Sequence, residues 1–282
     1  MTRPLLAVDG DSLAHRAYHG MPKTIHRRSD GGAGAALVGF ANFLIRLWET
    51  ESPRAVLVGW DSLGSPTYRN EAFAAYQSGR EFDHDLLEQL ELLPVLTAAF
   101  GFGVGKAPGY EADDFLAAAA ASEEKRGGQT LVATSDRDAF QLASERTTIL
   151  QPIRGVSELA RIGPAEVRER YGVEPAQVAD FIALRGDPSD RLPGARGVGP
   201  KTAADLLRQY GSLEGALEAG RFANEAEELR LYRRIATLDA SAPLPTLHDQ
   251  TPRWAEASKL ASEWGLNRLA DRLAEEAARS TS

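Results

Sequence analysis

The chain has 282 residues with 43% hydrophobic content, enough for one large domain or two ordinary ones with real cores. It contains no apolar run near the roughly 18 residues of a membrane span, and "MTRPLLAVDGDSL" enters a strand-like pattern without a signal-peptide core, so the expected location is the cytoplasm. The absence of cysteine excludes disulfides, thiolate metal sites and cysteine nucleophiles, leaving oxygen or one of five histidines for any metal and thus favouring Mg²⁺ or Mn²⁺.

In chain order, "PLLAVDGD" reads as a buried strand ending at Asp9. "RRSDGGAGAA" (27–36) reads as a mobile surface loop and "GFANFLIRLWETE" (39–51) as a helix. A second buried strand, "RAVLVGWD", ends at Asp61, and residues 64–84 form an irregular link with basic and aromatic side chains. A helix over 85–101, "DLLEQLELLPVLTAAFG", precedes the alanine-rich helix opened by "GYEADDFLAAAAA". The third strand, "QTLVATSDRD", ends at Asp136 and Asp138. Strand and helix alternate, so the expected sheet is parallel, and its ligands bind outside the carboxyl ends of the strands. From about Arg161 the pattern turns to helices alone, with a long charged tail from about 223, which places a domain boundary near 160. No internal repeat is evident.

Acidic residues gather at these strand ends. In "GYEADD", one carboxylate would satisfy the free N–H groups and positive dipole of a helix start. Three within four residues repel one another unless a cation is bound or a proton is shared. Asp9, Asp61, Glu111, Asp113, Asp114, Asp136 and Asp138 all fall on one rim, and Asp187 and Asp190 in "RGDPSDRLPG" add a fourth group. Singly, each reads as a cap or turn former. Jointly they suit two divalent ions roughly 3.5–4 Å apart, the arrangement that activates water and stabilises a leaving oxygen. The net charge of −8 opposes nucleic-acid binding taken whole, but removing these nine from the 40 acids leaves 31 against 32 bases. In "GARGVGPKTAADLL" (194–207), Gly197 and Gly199 allow close backbone approach to a phosphate. The helix start, Lys201 and Thr202 then add donors, a grip that reads no bases. A plain helix–turn–helix with packing glycines is the alternative.

"VDGDSLAHRAYHG", "GYEADDFLA", "ATSDRDAFQL" and "RGDPSDRLPGARGVGPKTAADLLRQYGSLEGAL" together resemble the 5′ nuclease (flap endonuclease) family, including the 5′–3′ exonuclease domain of bacterial DNA polymerase I, from about residue 5 to 275. The resemblance implies an α/β, PIN-like parallel sheet flanked by helices, with a helical arch and a C-terminal helix-hairpin-helix region. Residues 1–160 would be the metal-binding nuclease core, with the arch at about 70–105, and 161–282 the helical DNA-binding region. Asp9, Asp61, Glu111 and Asp113 would hold one ion. Asp113 or Asp114, with Asp136, Asp138, Asp187 and Asp190, would hold the second, some through water. Gly197, Val198, Gly199, Lys201 and Thr202 would grip duplex DNA, with a K⁺ ion on the turn carbonyls.

One departure stands out. "AYQSGR" puts Gln77 where relatives carry a lysine on the scissile phosphate, leaving that role to Arg80, with Tyr76 stacking on a base or positioning. His26, Arg27 and Arg28 would face template phosphates. The implied enzyme is a Mg²⁺- or Mn²⁺-dependent hydrolase with two ions per site. It would cut 5′ flaps and 5′ ends of DNA in replication and repair, on substrates with flaps, nicks or RNA primers. It would be a stand-alone bacterial member and a monomer recruited by a polymerase or sliding clamp, with no membrane contact. A PIN-type endoribonuclease and a catalytically weak branched-DNA-binding accessory are the alternatives.

Overall fold

The computed structural model describes residues 3–62, 64–79, 82–154 and 158–280. The order is β1 (Leu5–Asp9), α1 (Gly10–Gly20), α2 (Ala35–Glu51), β2 (Ala55–Gly59), α3 (Tyr68–Ala72), α4 (His84–Ala99), β3 (Gly103–Gly105) and α5 (Ala112–Lys125). There follow β4 (Thr130–Ala133), β5 (Thr147–Arg154), β6 (Glu158–Ile162), α6 (Pro164–Tyr171), α7 (Val178–Arg185), α8 (Pro200–Tyr210), α9 (Leu213–Glu218), α10 (Ala226–Ala236), α11 (Trp254–Glu263) and α12 (Asn267–Ser280). The strands lie β3-β2-β1-β4-β5-β6, parallel except for the β5–β6 pair.

Alternation along each strand sends neighbouring side chains to opposite faces, and both faces are buried, which is why the strands read as unbroken apolar runs. Leu5, Ala7, Leu57, Val132 and Ile149 face α5 and the helices α7, α8 and α10. Leu6, Val8, Val56, Val58 and Leu150 face α1, α2, α4, α11 and α12. Strand order reverses about β1 and β4, so the crevice beyond their carboxyl ends is the switch point where such sheets bind ligands.

The structure bears on four expectations. The boundary near 160 falls inside β6, an antiparallel edge strand held by β5 through pairs such as Ile149–Ile162. The charged tail divides: α10 packs on α7 in the helical region, and the rest leaves it. Trp254, Ala257, Leu266, Leu269 and Leu273 of its helices and their joint return to the face formed by Leu90, Leu93 and Phe100. Segment 27–36 is pinned rather than loose. Arg27 is buried, donates to the Ala33 carbonyl at 2.9 Å and pairs with Asp30 and Glu88, and His26 bridges Ala33. Arg27 is therefore spent on the fold, while His26 and Arg28 remain exposed. Finally, within the expected arch at 70–105, α4 packs Leu86, Leu90, Leu93 and Leu96 into the core beside α2, and residues 80 and 81 lie outside the described residues. Arg69, Asn70, Tyr76 and Gln77, with Phe82 and Leu90, line the switch-point crevice.

Candidate metal centre

Each acidic side chain arrives by a distinct local route. Asp9 ends β1 and caps α1, its Oδ1 accepting from the Ser12 amide at 2.9 Å, while Oδ2 accepts from the Thr134 hydroxyl at 2.6 Å. Asp61 follows β2 and accepts from the Ala112 amide at 2.8 Å, which ties it to the start of α5. Gly59 makes that approach possible, because a Cβ there would stand 2.5 Å from the Ala112 carbonyl oxygen. Asp136 follows β4, and its Oδ1 accepts from the Asp138 amide at 2.9 Å. Asp187 and Asp190 lie in the turn after α7, closed by backbone bonds between Asp187 and Leu192. Asp187 accepts from Ser189 and from Arg185 at 3.2 Å.

These elements enclose a cavity of about 1040 Å³ lined by Asp9, Asp61, Glu111, Asp113, Asp136, Asp138, Asp187 and Asp190. Asp11 joins them. It is buried, and its Oδ2 accepts from the Asp61 amide at 2.7 Å. Sequence reading passed over it, although "DGD" carried the signal of a second acid beside Asp9.

The cavity is electrostatically unbalanced. Burial, reinforced by Asp61 and Asp136, pushes the Asp9 carboxyl up to about 7. Burial also raises Glu111 to about 7, against the lowering pull of Arg69. Asp113 is driven well above the ordinary carboxylate range by burial and by the charges of Asp9, Asp136 and Asp138. Burial does the same to Asp138, with Asp136, Asp190 and Asp187 adding to it. Asp113 Oδ1 is buried without a hydrogen-bond partner, an expensive state for a carboxylate unless a cation takes the lone pairs. Among the described residues no three acidic or histidine side chains converge as a ready-made ligand cage. What exists is an all-oxygen donor set around a cavity with one unsatisfied inward oxygen, and that set fits a hard divalent cation that keeps part of its water.

Three expected site residues are placed differently. Asp114 does not line the cavity. It is 0% exposed, accepts from the Glu111 amide at 3.0 Å as a helix cap, and is bonded at both oxygens by Arg69 at 2.7 and 2.9 Å. Tyr76 is only 4% exposed, so base stacking is closed to it; its hydroxyl donates to Glu111 Oε2 at 2.9 Å. Gln77, in the left-handed region at φ 49°, donates its amide to the Tyr76 hydroxyl at 2.7 Å and to Asp190 at 3.1 Å. Arg80 lies outside the described residues. The turn residues Gly197, Gly199, Lys201 and Thr202 are exposed, with Val198 half-buried. Gly197 sits at φ 74° and Gly199 caps α8, leaving the first amides of that helix facing outward. Arg69 and Arg185 gave no signal in the sequence, since an isolated arginine declares no partner.

A parallel sheet with acids at its switch point and a glycine-turn helix pair defines an α/β nuclease architecture. The chain belongs to the 5′-3′ exonuclease family: residues 4–172 match the N-terminal resolvase-like domain and residues 173–259 the C-terminal SAM fold. It is thus a phosphodiester hydrolase of the 5′ nuclease class. It is 42% identical over 219 residues to DNA polymerase I of Mycobacterium leprae, covering 77% of this chain and 24% of that protein. DNA polymerase I of Deinococcus radiodurans is 37% identical over 95% of the chain and 27% of its own length. The chain therefore spans about a quarter of the length of these relatives. Its fold is similar to that of the T5 D15 flap endonuclease, solved with DNA and metal ions (TM-score 0.69, 18% identity, 97% of this chain and 98% of that one). It is also similar to the flap endonuclease-1 of Methanococcus jannaschii (TM-score 0.63, 16% identity, 99% and 94%). No helix among the described residues is long and apolar enough to cross a membrane.

Proposed function

We propose that this chain is a Mg²⁺- or Mn²⁺-dependent, structure-specific 5′ nuclease. It cuts DNA at 5′ flaps and shortens 5′ ends at nicks or primers during replication and repair. The observation that carries the reading is the buried, partnerless Asp113 Oδ1 in a cavity walled by eight of the nine expected acids.

Asp9, Asp61, Glu111 and Asp113 would hold one ion, and Asp136, Asp138, Asp187 and Asp190 the other. When bound, the two ions supply a water of lowered pKa and charge stabilisation on the leaving oxygen. The residues of this chain do the remaining work. Thr134 and the α1 amides fix Asp9, and the Ala112 amide fixes Asp61. The Tyr76 hydroxyl holds the Glu111 carboxylate. Gly197, Gly199, Lys201 and Thr202 hold duplex phosphates through backbone and side-chain donors, so substrate choice rests on shape rather than base sequence. A K⁺ ion at that turn, monomeric action in the cytoplasm, and recruitment by a polymerase or clamp belong to the same proposal.

The test is cleavage of a labelled 5′-flap DNA with and without Mg²⁺, beside Asp136→Ala and a single-stranded RNA. Flap cleavage that needs the metal and is lost in Asp136→Ala supports the reading. Preference for RNA would favour an endoribonuclease. Tight flap binding without cleavage at any Mg²⁺ or Mn²⁺ concentration would make the protein an accessory.

A further inference from the structure

Arg69 and Asp114 form the most completely satisfied buried charge pair beside the cavity, at 1% and 0% exposure. The guanidinium bonds both Asp114 oxygens, at 2.7 and 2.9 Å, and spends its other donors on two carbonyls at the end of α10, Ile235 at 2.9 Å and Thr237 at 3.3 Å. It also stands 3.3 Å from Glu111 Oε2. Asp114 in turn accepts from the Glu111 amide at 3.0 Å and from the Asp239 amide at 2.8 Å. Three separate elements therefore meet at one ion pair: α3, which carries Arg69; α5, which carries Asp113 and Asp114 and is capped by Glu111; and the end of α10, whose last carbonyls would otherwise lack partners.

α10 packs on α7, and α7 packs on α8, the helix that opens at the exposed glycine turn. The connection thus runs from the surface assigned to duplex phosphates to the carboxylate of Glu111. An arginine suits this junction because its planar fork serves a carboxylate and two carbonyls at once, which an ammonium cannot reproduce.

We propose that Asp114 is a positioning residue and not an ion ligand. With Arg69 it forms a latch that sets Glu111 and fastens the 235–239 segment to the metal-bearing helix. This rests on the nuclease reading for its catalytic consequence, but the latch itself is a property of the fold.

The decisive variant is Arg69→Gln/Asp114→Asn, which removes both charges and so avoids stranding one in the interior. Two measurements apply, with Asp113→Asn as the comparison. In the first, Mn²⁺ is titrated calorimetrically into DNA-free protein. A positioning role predicts that the double variant keeps the wild-type stoichiometry while its affinity falls about 10–100-fold because Glu111 is less well set, whereas Asp113→Asn loses an ion. A double variant that loses an ion overturns the proposal, as does one whose affinity is unchanged. In the second, amide exchange is followed across residues 235–240. Protection there should fall at least about 10-fold in the double variant while α2 and β1 are unchanged, and unaltered protection at Asp239 overturns the latch. If the wild-type protein takes up no Mn²⁺, the nuclease reading fails, and the exchange measurement alone decides the latch. Arg69→Lys adds a kinetic readout: kcat on flap DNA should drop while Kd for the flap, measured without divalent metal, holds, since Lys keeps the charge and loses the fork.

Discussion

Asp113 and Asp114 are adjacent on the first turn of α5, yet they belong to opposite electrostatic regimes. Asp113 points into a cavity where acids crowd without matching cations, and one of its oxygens has no partner. Asp114 points the other way into a knot where every charge is answered by Arg69 and by backbone amides. Burial alone thus says little about what a carboxylate is for. In the knot, low dielectric strengthens bonds already made; in the cavity it stores repulsion that a divalent ion would relieve.

The contrast breaks most sharply in the knot. Asp114→Ala strips the buried Arg69 of its two shortest carboxylate bonds and leaves it only Glu111 and two carbonyls, so chemical denaturation should register a loss of up to roughly 3–5 kcal/mol. Asp113→Asn should act oppositely, lowering flap cleavage by about 10²–10³-fold while raising the melting temperature of the metal-free protein. A variant that is less stable without metal would contradict the stored repulsion. The third test concerns pH. Asp9 and Glu111 rise from ordinary values of 3.8 and 4.5 to about 7, so between those limits the folded protein binds more protons than the unfolded chain. Metal-free stability should therefore be highest at acid pH, fall as pH rises from about 4 to about 7, and recover at neutral pH when Mg²⁺ is added. Thermal melts at pH 5 and pH 8 with EDTA check this, and equal melting temperatures would count against it.

Smaller effects sharpen the picture. Gln77→Lys would set an ammonium against Asp190 and the cavity, and single-turnover flap cleavage should quicken by up to about 10-fold. An unchanged or slower rate would mean that the neutral amide is not a deficit. Lys201→Ala, far from the acids, should weaken DNA binding only a few-fold, with the salt dependence of binding falling by about one.

The acids at strand ends were legible because strands buried on both faces write continuous apolar runs, and an Asp at the end of such a run is conspicuous. The crowding at Glu111, Asp113 and Asp114 was legible as an excess, but not which member was surplus to capping. That depends on Arg69, 45 residues away in sequence from Asp114. Arg27 shows the same limit, since an arginine in a glycine-rich stretch reads as solvated until Glu88 is brought against it. β3 was too short and glycine-rich to register, and β6, half-exposed, lacks the apolar run that marked the interior strands. α11 and α12 read only as a charged tail, because the charged residues between their buried positions dominate the composition.

That surface has a temporal consequence. The face of the sheet covered by α2 and α4 is completed by side chains from Trp254 to Leu273, so an emerging chain carries its acid-bearing strands with one apolar flank still open until those residues have been made. Such long-range closure slows folding, because the contacts that complete the face span most of the chain. A helper that shields apolar surface during synthesis would act on this chain late, after every residue of the cavity has already been translated.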